Sequence, residues 1–227
     1  MNILIIPGWL MNERSFNSLS EELIKRGHTV TVFKCPGIAT AEKKVNVETV
    51  IRLLFDKIAT NKFDVIIAHS FAVNWLLQMK SMIKNKKILL LSPCHKNLNS
   101  KFRILKYVSI FLTIAKHLPL PYGLLRVLYD FVHASGERTC PDMINGYFTC
   151  DGYSAYKLLI QTLKLECKSK RTIKGPTLIV HGNNDPLLKC EYVPLIMHFD
   201  KAEVKTVDCG HDTFNYISDD IIEFIEK

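Results

Sequence analysis

A serine that can attack, a carboxylate that can orient a ring and a histidine that can take a proton stand in the order Ser70, Asp185, His211 along a chain of 227 residues. Each follows a short apolar run: VIIAHSFAVNWLL holds Ser70, LIVHGNNDPLL holds Asp185, and DCGHDTF holds His211. A serine hydroxyl is a weak nucleophile at its own pKa and needs a neighbouring base. His211 would take the hydroxyl proton and later return it to a leaving group. Asp185 would fix the imidazole tautomer and stabilise the imidazolium. Each motif alone has a plainer reading: Ser70 as a helix cap, Asp185 as a turn residue before Pro186, His211 as a surface loop residue. Their conjunction, in that order and each just past a strand, is the stronger signal.

The residues around Ser70 read Ala68-His69-Ser70-Phe71-Ala72. A strand that runs directly into a helix through such a turn needs small flanking residues, normally glycines. Alanine meets the size limit with less backbone freedom. The segment IIPGWLMNERSF follows the first apolar run. Backbone N–H groups of Trp9 and Phe71 would form an oxyanion hole, and Gly8 would let their loop approach closely. Trp9 can also be a core aromatic, since the oxyanion needs its backbone alone. His69, His181, Asp185 and His211 fall at one sheet edge, but their spacing matches no standard metal-ligand motif, so no metal is expected. Ser92 and Cys94 are expected to line the pocket, and His69 to be a packed or hydrogen-bonded turn residue. No cofactor is expected.

The elements that must position these groups alternate. Strands are expected over Asn2–Ile6, Thr29–Phe33, Asp64–Ala68, Lys87–Leu91, Thr177–Val180 and Ala202–Val207. Near-continuous apolar runs such as ILII and ILLL suit strands covered by helices on both faces. Helices are expected over Glu13–Arg26, Val47–Ala59, Phe71–Met79, Tyr192–Phe199 and Asp219–Glu226. This argues for an α/β fold with a mostly parallel sheet of about six strands. The alternation stops over residues 95–173, where Phe102–Leu118, Tyr122–His133 and Ser154–Leu165 read as helices. We expect a core of residues 1–94 and 174–227, with 95–173 as a helical cap over the sheet's C-terminal edge.

With 48% hydrophobic and 23% charged residues, the chain reads as a globular protein rather than a disordered one. A net charge of +8 favours acidic partners. No interleaving of aromatic and basic residues suggests nucleic-acid binding. Cys35, Cys94, Cys140, Cys150, Cys167, Cys190 and Cys209 form no CxxC pair, which suits a reducing cytosol. The start, MNILIIPGW, has no basic leader, and no apolar stretch is long enough to span a bilayer. A cytoplasmic location with no stable membrane insertion is expected. In the cap, Arg103, Lys106 and Arg126 are candidate substrate or carrier contacts, beside Lys101 and Lys116. Phe102, Leu105, Ile110, Phe111, Ile114 and Leu128 are expected to face the active site or the core, with Phe111 a candidate substrate contact. They point to an apolar acyl group.

Over almost its whole length the chain resembles serine hydrolases of the α/β-hydrolase superfamily, of the small carboxylesterase type. Pro7-Gly8-Trp9 is similar to the family's His-Gly-Trp oxyanion segment, with Pro7 in place of the histidine. The PGW segment, the Ala-flanked Ser70 and the helical cap are most similar to pimeloyl-[acyl-carrier-protein] methyl ester carboxylesterases of biotin synthesis. The resemblance implies an ester hydrolase working through an acyl-enzyme on a small acyl ester, one form of which is presented on an acidic acyl carrier protein. A thioesterase, a general short-chain esterase and a non-catalytic binding module stay open beside it. A carboxylate-nucleophile epoxide or haloalkane hydrolase does not, because the turn holds Ser70.

Overall fold

The computed structural model describes residues 1–38, 45–95, 107, 110, 111, 114, 120–134, 141, 144, 152–167, 169, 171–188, 193–216 and 218–227. Strands β1 (Asn2–Ile6), β2 (Thr29–Val32), β3 (Val65–His69), β4 (Lys87–Leu91), β5 (Thr177–Gly182) and β6 (Ala202–Val207) form one six-stranded sheet in the order β2-β1-β3-β4-β5-β6. Every pair is parallel, with Leu4 beside Ile66 and Ile67 beside Leu89. Each strand position of the sequence reading is occupied, with ends shifted by at most a few residues. The four interior strands, β1, β3, β4 and β5, are buried on both faces along most of their length because their runs are largely apolar. Edge strand β6 instead leaves Glu203 and Val204 in solvent, and such charges discourage edge-to-edge pairing.

Helix α1 (Asn17–Lys25) buries Leu19 and Leu23, and ends where Gly27 takes φ +84° and donates to the Ile24 carbonyl. Helix α2 (Val47–Thr60) starts at Asn46, whose side chain accepts the Thr49 N–H, and buries Val50, Leu54 and Ile58 along one stripe. Helix α3 (Ala72–Leu76) leaves the Ser70 turn and tightens into a 3₁₀ turn over Leu77–Met79. The expected helix from Glu13 likewise opens as a 3₁₀ turn over Glu13–Phe16, capped by Asn12. Between β4 and β5 the described elements are helices Tyr122–His133 and Gly152–Leu163. Both tryptophans fasten the second: Trp9 Nε1 donates to the Ala155 carbonyl at 2.8 Å, and Trp75 Nε1 to Thr162 Oγ1 at 2.8 Å. Short helices Val193–Ile196 and Asp219–Glu226 complete the fold. Cys140, Cys150 and Cys190 lie outside the described residues. Among the described residues, no helix is long and apolar enough to cross a membrane.

The chain runs from β1 outward to β2, then returns across β1 to β3. Open parallel sheets bind ligands where the winding reverses in this way, at the strands' C-terminal ends. Pro7 to Trp9 and Ser70 leave the sheet at that point. The loops after β5 and β6 meet beside it through bare backbone. A Cβ on Gly182 would lie 2.0 Å from the Gly210 carbonyl oxygen. Asn183 N–H donates to Val207 O and Asn184 N–H to Cys209 O, both at 2.9 Å. Gly182→Ala should therefore force these loops apart and lower unfolding free energy by about 2 kcal/mol or more. Gly123→Ala, at a helical position with no atom within 4 Å of the new Cβ, should be neutral or stabilise by about 0.5–1 kcal/mol. Denaturant titration of the two variants checks the contrast.

Candidate active site

Ser70 sits between the last residue of β3 and the first turn of α3, with φ +53°. A non-glycine residue in this left-handed region is strained and needs support. Its N–H donates to the Leu91 carbonyl at 2.9 Å, and its carbonyl accepts from Cys94 N–H at 3.1 Å. Ala68 and Ala72 flank the turn and are fully buried, leaving no room for larger side chains. Gly8 lies directly over it, where a Cβ would stand 2.8 Å from His69 Nδ1 and 2.9 Å from Ser70 Cβ. From α3, Asn74 Nδ2 donates to the Phe71 and Cys94 carbonyls at 3.3 and 2.7 Å, joining the turn to the loop after β4.

The serine hydroxyl Oγ lies 3.0 Å from His211 Nε2, and His211 Nδ1 lies 2.7 Å from Asp185 Oδ2. The carboxylate can only accept, so Nδ1–H donates to it and the Nε2 lone pair is left for the hydroxyl proton. Asp185 Oδ1 accepts from Leu187 and Leu188 N–H at 2.8 and 3.0 Å, which fixes the carboxylate plane. All three side chains are almost fully buried. Burial opposes charge on His211, but Asp185 outweighs it and Asp212 adds to the effect, so its pKa is raised. Burial likewise opposes charge on Asp185, and His211, with smaller contributions from His181 and the Leu187 N–H, holds its pKa below the usual carboxylate value. The pair can store a proton on the ring while keeping a negative carboxylate beneath it.

The two neighbouring histidines behave in the opposite way. His69 packs between Phe16 and Phe214, with ring centroids 5.9 and 5.1 Å away. Its Nε2–H points to the His211 carbonyl at 3.3 Å. Burial, then the charge of His211, pushes its pKa down to about 3. Burial also lowers His181, which lies 3.7 Å from Asp185 Oδ2. Although His69, His181, Asp185 and His211 converge, no metal-holding group of three such residues exists among the described residues. Ser92 is buried against Thr213, 3.3 Å between hydroxyls, and Cys94 is buried with its thiol pKa raised by burial. Both were expected as pocket lining; they are packing residues behind the turn.

Trp9 and Phe71 stand on the two loops expected to supply oxyanion N–H groups, and neither N–H donates to a described acceptor. Arg126 pairs with Asp130 one helical turn away, at 3.8 Å. Arg103 and Lys106 lie outside the described residues, as do Phe102 and Leu105. Ile110, Phe111 and Ile114 are helical but solvent-exposed, and Leu128 is half-buried. The expectation that these residues face the site or the core holds for Leu128, which packs against the core, and is corrected for Ile110, Phe111 and Ile114, which are exposed: helical periodicity marks a common face but does not say what that face meets.

Sequence reasoning missed a second buried cluster. Asp212 is fully buried and accepts from Tyr129 Oη at 2.8 Å and from His133 Nδ1 at 2.9 Å. Tyr129 and His133 stack with centroids 4.4 Å apart and an interplanar angle of 11°. The His211 N–H donates to the His133 carbonyl at 2.8 Å. Helix Tyr122–His133 is thus bonded to the His211 loop by both backbone and side chains. Burial opposes charge on Asp212, but the His133 ring, with His211 and His69 beyond it, holds its pKa down at about 2.

No family model matches the sequence, and no curated protein matches it. Solved structures do. A putative acyltransferase from Salmonella enterica is 12% identical, with TM-score 0.76 over 99% of this chain and 87% of that one. An α/β-hydrolase fold protein from Burkholderia ambifaria is 15% identical, with TM-score 0.71 over 100% and 90%. The chain has the α/β-hydrolase fold. The type II thioesterase BorB of the borrelidin biosynthetic cluster is 12% identical, with TM-score 0.71 over 99% of this chain and 91% of that one. Within this fold the Ser70 turn and the His211 loop meet at the sheet's C-terminal edge.

Removing the Asp212 charge tests how far that second cluster supports the first. Asp212→Asn should cost about 2–3 kcal/mol at neutral pH, because the amide can accept from only one of His133 and Tyr129. The folded pKa of about 2 lies below the unfolded value of about 3.9, so this stabilisation is complete above that value and is lost as pH falls toward 2. The gap between variant and wild type should therefore close over that window in denaturation series run at several pH values. The variant should also lower the His211 pKa, read from its imidazole NMR signals.

Proposed function

We propose that the protein is a serine hydrolase of carboxylic esters acting through an acyl-enzyme. The hydrogen-bonded chain Ser70 Oγ, His211 Nε2, His211 Nδ1 and Asp185 Oδ2, set on a left-handed turn, carries this reading. Ser70 Oγ attacks the ester carbon as its proton passes to His211 Nε2, and the carbonyl electron pair moves onto oxygen. The Trp9 and Phe71 N–H groups receive that oxyanion. When the tetrahedral adduct collapses, the carbon–alkoxide bond breaks and His211 returns the proton to the alkoxide. Water, giving a proton to the same nitrogen, then splits the acyl–Oγ bond and restores Ser70.

The acyl-chain methyl ester on a carrier protein is the narrower form implied by the sequence resemblance. Residues 95–173 would then be the cap that selects the acyl group. A thioester is the second reading, favoured by the fold's likeness to BorB. A panel of p-nitrophenyl esters and acyl thioesters of graded length decides between them by kcat/KM.

Ser70→Ala should lose activity by roughly 10³-fold or more and lose fluorophosphonate labelling. Labelling that persists unchanged in Ser70→Ala would sink the assignment. Asp185→Asn should keep the fold and lose most activity, since the amide holds the ring in the wrong tautomer. Activity needs neutral His211, whose pKa is raised. The kcat/KM profile should therefore rise with pH through a midpoint above the ordinary histidine value of about 6.5.

A further inference from the structure

Four polar side chains outside the Ser70, His211 and Asp185 set are bonded end to end. Lys80 closes the 3₁₀ turn after α3 and is only 3% exposed. Its Nζ donates to the Ser169 carbonyl at 3.1 Å and to His198 Nδ1 at 2.8 Å. His198 Nε2 lies 3.3 Å from His95 Nε2, with the two rings edge to face at 83°. His95 Nδ1 lies 3.1 Å from Asn74 Oδ1. Among the described residues Lys80 has no carboxylate partner. A buried cation without one is costly, so its use lies in what it donates to.

The direction of every bond follows from either end. A lysine ammonium has donors only, so His198 Nδ1 accepts and the His198 ring proton stands on Nε2. That proton points to His95 Nε2, which puts the His95 proton on Nδ1, facing Asn74 Oδ1. From the other end, Asn74 Nδ2 faces the Phe71 and Cys94 carbonyls, which only accept. Asn74 Oδ1 is then left to receive the His95 Nδ1–H. Both ends assign the same tautomers, so the four side chains form one polarised chain with no mismatched pair.

The chain ends on the peptide expected to meet the oxyanion. The Ser70 carbonyl and the Phe71 N–H belong to one planar peptide unit. Cys94 N–H donates to that carbonyl at 3.1 Å, and Asn74 in turn holds the Cys94 and Phe71 carbonyls. Asn74 therefore fixes the direction in which the Phe71 N–H points. An oxyanion donor stabilises the transition state only in so far as it is aimed beforehand.

We propose that Lys80, His198 and His95 are positioning residues that act through Asn74 to aim the Phe71 N–H at the oxyanion. They touch no reacting atom and carry no proton in the reaction. The proposal rests on the acyl-enzyme reading above.

Nitrogen NMR of the labelled imidazoles and the kinetics of Lys80 and His95 variants test it. In resting wild type His198 should carry its proton on Nε2 and His95 on Nδ1. The opposite tautomers would overturn the proposal with no substrate present. Lys80→Met keeps the apolar stem and removes the donors. It should lower kcat for a p-nitrophenyl ester by about tenfold, a part of the roughly 10²–10³ that a whole oxyanion donor carries. KM should stay within about twofold of wild type, because the interaction lost is made in the transition state. Lys80→Arg, again a cation that only donates, should recover most of the loss. His95→Phe should lose at least as much as Lys80→Met, and the double variant little more than the larger single loss, because both cut one chain. Unchanged kcat in Lys80→Met overturns the proposal. So does a loss that falls on KM, one that Lys80→Arg leaves unrecovered, or additive losses in the double variant, since each side chain would then only be packing. Wild type that takes no fluorophosphonate label would overturn the ester reading itself, and this proposal with it.

Discussion

The site depends on one backbone conformation, the left-handed turn at Ser70. Holding a serine there costs on the order of 1–3 kcal/mol, which the surrounding structure must offset. Three strands take part. β3 delivers the residue, β4 accepts its N–H at Leu91, and the loop after β4 donates to its carbonyl through Cys94. β1 contributes by what it lacks, since any side chain at Gly8 would strike His69 and Ser70. A tight turn that projects the hydroxyl therefore requires β1, β3 and β4 to be adjacent and parallel, and the sheet order provides this.

That geometry places several histidines together, and electrostatics separates their roles. His69 is one residue before the serine and stays neutral down to about pH 3, because aromatic packing and the His211 ring both penalise its charge. His181 is lowered as well. His211 alone among them has its pKa raised, because Asp185 bonds its Nδ1 and Asp212 lies beyond. A proton arriving among these rings is directed to the ring that faces Ser70. Two carboxylates and two depressed histidines make one usable base.

Much of this was legible in the sequence for definite reasons. ILII, VIIA and ILLL are long enough and apolar enough to be central strands, and they are. Ser70, Asp185 and His211 could be singled out because each directly follows such a run, which fixes its position at the sheet edge. Asp212, His133 and Tyr129 carried no such signal. Their meeting depends on helix Tyr122–His133 folding back onto a loop about 80 residues later, a long-range contact that spacing does not encode. Ile110, Phe111 and Ile114 were legible as a face and misread as an inward one. Apolar periodicity reports a preference for leaving water and is silent on what receives it.

Helices Tyr122–His133 and Gly152–Leu163 are tied to the core at the site itself. Trp9, whose loop lies over Ser70, anchors Gly152–Leu163 through Ala155. Trp75, on the helix leaving Ser70, anchors it again through Thr162. Asp212, beside His211, anchors Tyr122–His133 through two side chains. Every one of these anchors grips the inner side of its helix. The inner sides are thus committed to holding the serine and histidine loops in register. The outer sides are left free to answer to whatever the protein meets. Leu124, Val127 and Phe131 can then vary in chemistry without disturbing Tyr129 or His133.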